Sequence, residues 1–128
     1  MSDIQRVGVV GAGQMGSGIA EVFAKAGLDV RIAETNGEAL ERGRDRLTGS
    51  LGKAAERGKI TDAERDTALG RLSFTTDLGE FADRDLVIEA VVEDERVKTE
   101  IFKVLDQVVT RQDAILASNT SSIPLVRL

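Results

Sequence analysis

The 128-residue sequence contains no cysteine and no histidine. The first absence excludes a disulfide framework, the two together exclude a zinc site of the usual ligand types, and the second leaves no imidazole for acid/base work. Basic residues are in the minority: 17 Lys and Arg stand against 22 Asp and Glu, for a net charge of -5 and a pI near 4.8. A surface of that balance lacks the positive field that binding a phosphate backbone needs, so nucleic acid is not an expected partner. Apolar runs are short as well, and none approaches the roughly 20 residues of a membrane span. Met1–Arg6 lacks the basic flank and apolar stretch of a leader, so a soluble, cytoplasmic protein with no membrane partner is expected. There is no low-complexity linker, and the recurrence of Glu41-Arg-Gly43 as Glu56-Arg-Gly58 is too short to count as a repeat. One domain with a real core fits this length; a complete two-domain enzyme does not.

What is present is an alternation of apolar strands and amphipathic helices. Val7–Val10 is nearly all apolar, as in a parallel strand covered on both faces. A glycine turn follows, then a helix whose Met15, Ile19, Val22, Phe23 and Ala26 recur at helical spacing and are expected to face the core, with Gly27 placed to stop it. Asp29–Ala33 reads as a second strand delivering Glu34 to its carboxyl end. Thr35 to Arg71 is helical and highly charged, with a stripe of Leu40, Leu47 and Leu51 and a capping box at Thr61-Asp-Ala-Glu64. An ordinary crossover needs only about a dozen residues, so the surplus predicts an inserted helical pair bent at Gly58. A short third strand is expected over Leu72–Thr75, with Leu78 and Phe81 anchoring the connection to a fourth over Leu86–Ala90. A further helix shows Val97, Ile101, Leu105 and Val108 on one face, and a fifth strand over Ala114–Ala117 leads into Ser118-Asn-Thr-Ser-Ser122. The order predicts an α/β fold: a Rossmann-type, doubly wound parallel sheet with the helical pair inserted after strand two. Its ligand would lie at the carboxyl ends of the strands, beside strand one.

At that position the residues suit a dinucleotide. In Gly11-Ala12-Gly13-Gln14-Met15-Gly16 the first glycine permits the tight turn, the second lets the backbone approach a pyrophosphate, and the third lets the helix pack close to the sheet. The helix amino terminus aims its N–H groups at the phosphates. The glycine motif alone is weak evidence; its place after a strand, before a helix and 18 positions ahead of an acidic residue gives it weight. Glu34 would accept hydrogen bonds from the adenosine ribose and repel a 2'-phosphate. With no arginine in Thr35-Asn-Gly37, NAD is favoured over NADP. A phosphate loop of the nucleotide-hydrolase kind fails, because Ala54 follows Gly52-Lys53 and Leu47 stands where the first glycine belongs. A flavin dinucleotide suits the glycine pattern equally well.

Three further stretches separate these alternatives: Asp85-Leu-Val-Ile-Glu-Ala-Val-Val-Glu93, then Lys98, Ile101, Phe102 and Leu105, then Ile115-Leu-Ala-Ser-Asn-Thr-Ser-Ser-Ile123. Together with Gly11-Ala-Gly-Gln-Met-Gly-Ser-Gly18, they make the chain closely resemble, over essentially its whole length, the amino-terminal NAD-binding domain of the 3-hydroxyacyl-CoA dehydrogenases, especially bacterial 3-hydroxybutyryl-CoA dehydrogenases. The resemblance implies that Glu93 and Lys98 contact the nicotinamide half of the cofactor. It puts Asn119 and Ser121 beside the nicotinamide and the substrate's 3-oxygen, Ser121 as a contact and not a base. Ser50 matches a serine that contacts coenzyme A, and Arg57 falls near a family lysine, keeping its charge but not its geometry. Glu34 stands where the family most often has aspartate. Bland roles exist beside these: Glu93 would favour a helix amino terminus electrostatically, Ser122 would cap a helix opening at Pro124, and a solvated charged face accounts for Arg57.

In the resembled family a histidine oriented by a glutamate takes the hydroxyl proton, and both lie beyond the Ser-Asn-Thr-Ser-Ser segment. The chain alone is therefore expected to bind NAD and an acyl-CoA partner without completing the reaction, as the cofactor half of a longer dehydrogenase whose carboxyl-terminal helical domain is absent. A sheet edge and an uncovered surface would then favour homo-oligomers. Two other classes stay open on the residues: a stand-alone dinucleotide-binding or redox-sensing module, and a flavoprotein fragment.

Overall fold

The computed structural model describes residues 4–90, 95–108, 115–118 and 125–126. Its elements run β1 (Arg6–Val10), α1 (Gln14–Lys25), β2 (Asp29–Ala33), α2 (Gly37–Glu56), α3 (Asp62–Gly70), β3 (Leu72–Thr75), a 3-10 turn (Leu78–Phe81), β4 (Leu86–Glu89), α4 (Glu95–Val108), β5 (Ile115–Ser118) and β6 (Leu125–Val126). The sheet order is β3-β2-β1-β4-β5-β6. The first five strands are mutually parallel and β6 runs antiparallel to β5. The chain reverses direction across the sheet at β1, and one register row, Thr75, Ala33, Val10, Glu89 and Ser118, lines up the carboxyl ends of all five parallel strands.

Alternation along β1 explains the two layers. Val7 and Val9 join Val30, Ile32, Leu47 and Leu51 in a core beneath α1, α2 and α3, whereas Val10 faces the opposite core of Ala33, Phe81, Val87 and Leu105. Helices thus cover both faces, as a doubly wound sheet requires. The inserted pair is present: Asn36 caps α2 by accepting from Ala39 N at 2.8 Å, and Gly58, with φ of 73°, makes the bend. Thr61 and Glu64 form the expected reciprocal capping box on α3.

Two expectations need correction. Met15 and Val22 are 61% and 63% exposed, and Ala26 is exposed too, so of the expected stripe only Ile19 and Phe23, both half-buried, pack against the core. The helix buries Gly16, Ser17, Ala20 and Ala24 instead. It must lie close to β1 and to α2, where only small side chains fit, and Met15, Ile19 and Val22 turn to an open apolar groove beside Ile88. The second correction is β6, a two-residue strand that periodicity does not register. On α4, Leu105 is buried and Ile101 and Val108 half-buried, as expected; the side chain of Val97 lies outside those described. Among the described residues, no helix is long and apolar enough to cross a membrane.

Candidate dinucleotide site

The site is built where β1 ends. Gly11 has a φ of 107°, a backbone conformation that a side chain would strain, and its N–H donates to Ala33 O at 2.8 Å, tying the turn to the end of β2. A Cβ on Gly16 would collide with the Gly11 carbonyl oxygen, so this glycine is what lets α1 start directly against the turn. Gly13 is the N-cap of α1. It has no side-chain capping bond, no acidic residue follows in the first turn, and a Cβ at Gly13 would meet no protein atom. A helix amino terminus left without side-chain capping at an open, glycine-lined surface fits a pyrophosphate.

The backbone of Ala12 is held from three sides. Its N–H donates to Glu34 Oε2 at 2.7 Å, and its carbonyl accepts from Ser17 Oγ at 3.0 Å and from Arg46 Nη1 at 2.9 Å. Glu34 Oε1 also accepts from Thr35 N at 3.1 Å. Glu34 is half-buried at the carboxyl end of β2, beside the glycine turn. A carboxylate there suits ribose hydroxyls, since it retains acceptor capacity beyond these two bonds. Gly43 lies against Ala12, where a Cβ would collide with the alanine's own. Ser17, Gly43 and Arg46 were not singled out from sequence; the signal available was the i, i+3 spacing of Gly43 and Arg46 on the helix following Glu34.

Gly11, Ala12, Gly13, Gln14, Met15, Gly16 and Glu34 thus come together at one strand end. Ser50 lies on α2 with Lys53, lining a polar cleft between α1 and α2 that reaches Gln14 and Ser17. Arg57 is the exposed C-cap of α2 and does not line that cleft. Lys98 falls in the first turn of α4, its side chain outside those described. Glu93, Asn119 and Ser121 lie outside the described residues, although Ser118, the residue before Asn119, ends β5 in the same row as Val10 and Ala33.

A parallel sheet with its chain reversal at β1, a glycine turn opening a helix, and a carboxylate at the end of β2 define a dinucleotide-binding domain of the dehydrogenase type. Residues 6–128 match the family described as "3-hydroxyacyl-CoA dehydrogenase, NAD binding domain", and the chain belongs to that family. A 3-hydroxybutyryl-CoA dehydrogenase of Mycobacterium tuberculosis is 63% identical over 129 residues, covering 100% of this chain and 45% of the relative. A probable 3-hydroxybutyryl-CoA dehydrogenase of Deinococcus radiodurans is 54% identical over 123 residues, covering 96% of this chain and 44% of its own length. The crystal structure of M. tuberculosis FadB2 superposes with a TM-score of 0.92 at 63% identity, covering 96% of this chain and 43% of that one. That of the (S)-3-hydroxybutyryl-CoA dehydrogenase PaaH1 from Ralstonia eutropha gives 0.88 at 38% identity, covering 94% and 42%. The chain therefore spans about 45% of the length of these curated 3-hydroxybutyryl-CoA dehydrogenases. The family's NAD-binding domain is what these residues form, which decides between NAD and flavin in favour of NAD.

Proposed function

We propose that the protein carrying this domain interconverts an L-3-hydroxyacyl-CoA and the 3-ketoacyl-CoA. The observation that carries the reading is the three-sided hold on Ala12 at the switch point, in a chain whose family match runs from β1 to its last residue. NAD, when bound, would supply the acceptor for the hydride that leaves C3 of the substrate. The glycine turn and the amino terminus of α1 hold the pyrophosphate, and Glu34 holds the adenosine ribose. Glu93 and Lys98 contact the nicotinamide half, while Asn119 and Ser121 orient the nicotinamide and the substrate's 3-oxygen. Ser50 contacts coenzyme A from the α1–α2 cleft, with Lys53 as the nearby cation; Arg57 offers a second positive charge at the end of the same helix.

In the family resembled, a histidine takes the hydroxyl proton; this chain has none and spans about 45% of its dehydrogenase relatives, so this reading puts that base in the remainder of the enzyme. NADH oxidation by acetoacetyl-CoA is expected in protein extended by a histidine-bearing carboxyl-terminal helical domain, and not in the 128-residue chain. An extended protein that binds NADH but leaves acetoacetyl-CoA unreduced would sink this function. Free CoA esters as substrates suit a cytoplasmic setting. The groove of Met15, Ile19 and Val22 supports self-association of the chain, which a clean monomer in light scattering at high concentration would contradict.

A further inference from the structure

We infer that Arg46, on the inserted helix, is a positioning residue for the cofactor, acting through the Ala12 carbonyl. The inference rests on the NAD reading of the glycine turn. A peptide unit is planar and trans, so fixing the direction of a carbonyl fixes the N–H on its opposite edge. The Ala12 carbonyl belongs to the same peptide as the Gly13 N–H. Two donors grip that oxygen, Ser17 Oγ at 3.0 Å from within α1 and Arg46 Nη1 at 2.9 Å from α2. Gly13 is the N-cap, so the peptide they orient is the one that opens the helix.

The two donors are unequal in kind. Ser17 reaches the carbonyl from five positions along the chain and moves with the loop; Arg46 reaches it from 34 positions away and anchors the loop to another element. The Arg46 bond is also charge-assisted, although solvent screens it at the exposed guanidinium, whereas the Ser17 bond is buried. One turn earlier, Gly43 brings the α2 backbone against Ala12, so the guanidinium works from a fixed distance. Arg46 and Ser50 line the same cleft, which makes α2 a rigid bar touching the pyrophosphate loop with one residue and the coenzyme A side with another. Arg46 holds the loop; it need not touch the cofactor.

The test is a double-variant cycle on the 128-residue chain, reading dissociation constants for NADH, ADP-ribose and adenosine. Arg46→Met is expected to weaken NADH and ADP-ribose about tenfold, the value of one charge-assisted hydrogen bond. Adenosine, which has no pyrophosphate, should bind unchanged. Arg46→Lys keeps a cationic donor and should recover part of the loss. Because Ser17 and Arg46 share one acceptor, Ser17→Ala together with Arg46→Met should lose more than the product of the single losses. Losses that simply multiply, or a parallel loss for adenosine, would overturn the inference, as would an unaffected Arg46→Met. A wild-type chain that binds no NADH overturns the cofactor reading and this inference with it; a binding wild type beside an unchanged variant overturns the inference alone.

Discussion

Among the described residues Arg84 is the largest fully buried side chain, and its partners lie at the amino ends of the strands, the opposite end of the sheet from the cofactor turn. Its Nε and Nη2 each donate to Asp83 at 2.9 Å, and Nη2 also donates to Asp29 Oδ2 at 3.2 Å. Asp85 Oδ2 accepts from the backbone of Gln5 and Arg6 at 2.9 Å each, which ties the start of β1 to that of β4. The hydrogen bonds from Arg84, with its positive charge and that of Arg31 nearby, hold the Asp83 carboxyl below the usual carboxylate range. A carboxyl whose pKa is lowered on folding contributes stability that is present above its unfolded pKa, about 3.9, and lost as pH falls through the lower folded value. Asp83→Asn should therefore destabilise the fold by a constant amount between about pH 5 and 7, with the gap to wild type closing below about pH 4. Urea unfolding at three pH values checks this, and a gap that widens in acid would contradict it. Nothing in the sequence marks this network: Arg84 and Asp29 are 55 positions apart, and charged residues at strand starts usually face water. The place of Glu34 was legible because it depends on local order: it is the first residue after β2, the strand that follows the glycine turn and α1.

At the scale of elements, spacing revealed the five parallel strands, the inserted pair and the Thr61–Glu64 capping box, because each is written within a dozen residues. It put Met15, Val22 and Ala26 on the buried face of α1, where they are exposed, and missed Gly16, Ser17, Ala20 and Ala24. Periodicity weights large apolar residues, whereas a helix pressed against a turn and a second helix selects for smallness. The same principle separates the glycines of α2. A methyl at Gly43 would collide with Ala12, and one at Gly52 would meet nothing within 4 Å. Gly52→Ala should stabilise the chain by about 0.5 to 1 kcal/mol through helix propensity. Gly43→Ala gains the same propensity, but it must push α2 from the loop at an overpacking cost of about 1 to 3 kcal/mol, so destabilisation and weaker NAD binding are expected together. Urea melts and cofactor titrations of the two variants give the comparison; a Gly43→Ala chain as stable and as tight-binding as wild type would show that α2 does not brace the turn.

On the scale of the whole molecule, the sheet separates two kinds of polar work. Ion pairs at the amino ends of the strands fasten β1, β2 and β4 to one another, and the carboxyl ends carry the glycine turn with Glu34 hydrogen-bonded to it. Binding at the carboxyl ends should therefore stabilise the entire cooperative unit, because a ligand that binds only the folded chain adds RT ln(1 + [L]/Kd) to its stability. At a hundredfold excess over Kd that is about 2.7 kcal/mol, or about 10 °C in Tm for a domain of this size. NAD is expected to produce a shift of that order and NADP a much smaller one at equal concentration, since the half-buried Glu34 carboxylate, already committed to Ala12 N and Thr35 N, would repel a 2'-phosphate. Glu34→Ala removes the ribose acceptor and the repulsion together. The variant should lose about 10-fold to 100-fold in NAD affinity, from a charged hydrogen bond of about 1.5 to 3 kcal/mol. Its NAD-induced shift should fall towards that given by NADP. Differential scanning fluorimetry across a concentration series of both cofactors reads the two quantities at once, and equal shifts from NAD and NADP in the wild-type chain would remove Glu34 as the discriminating residue.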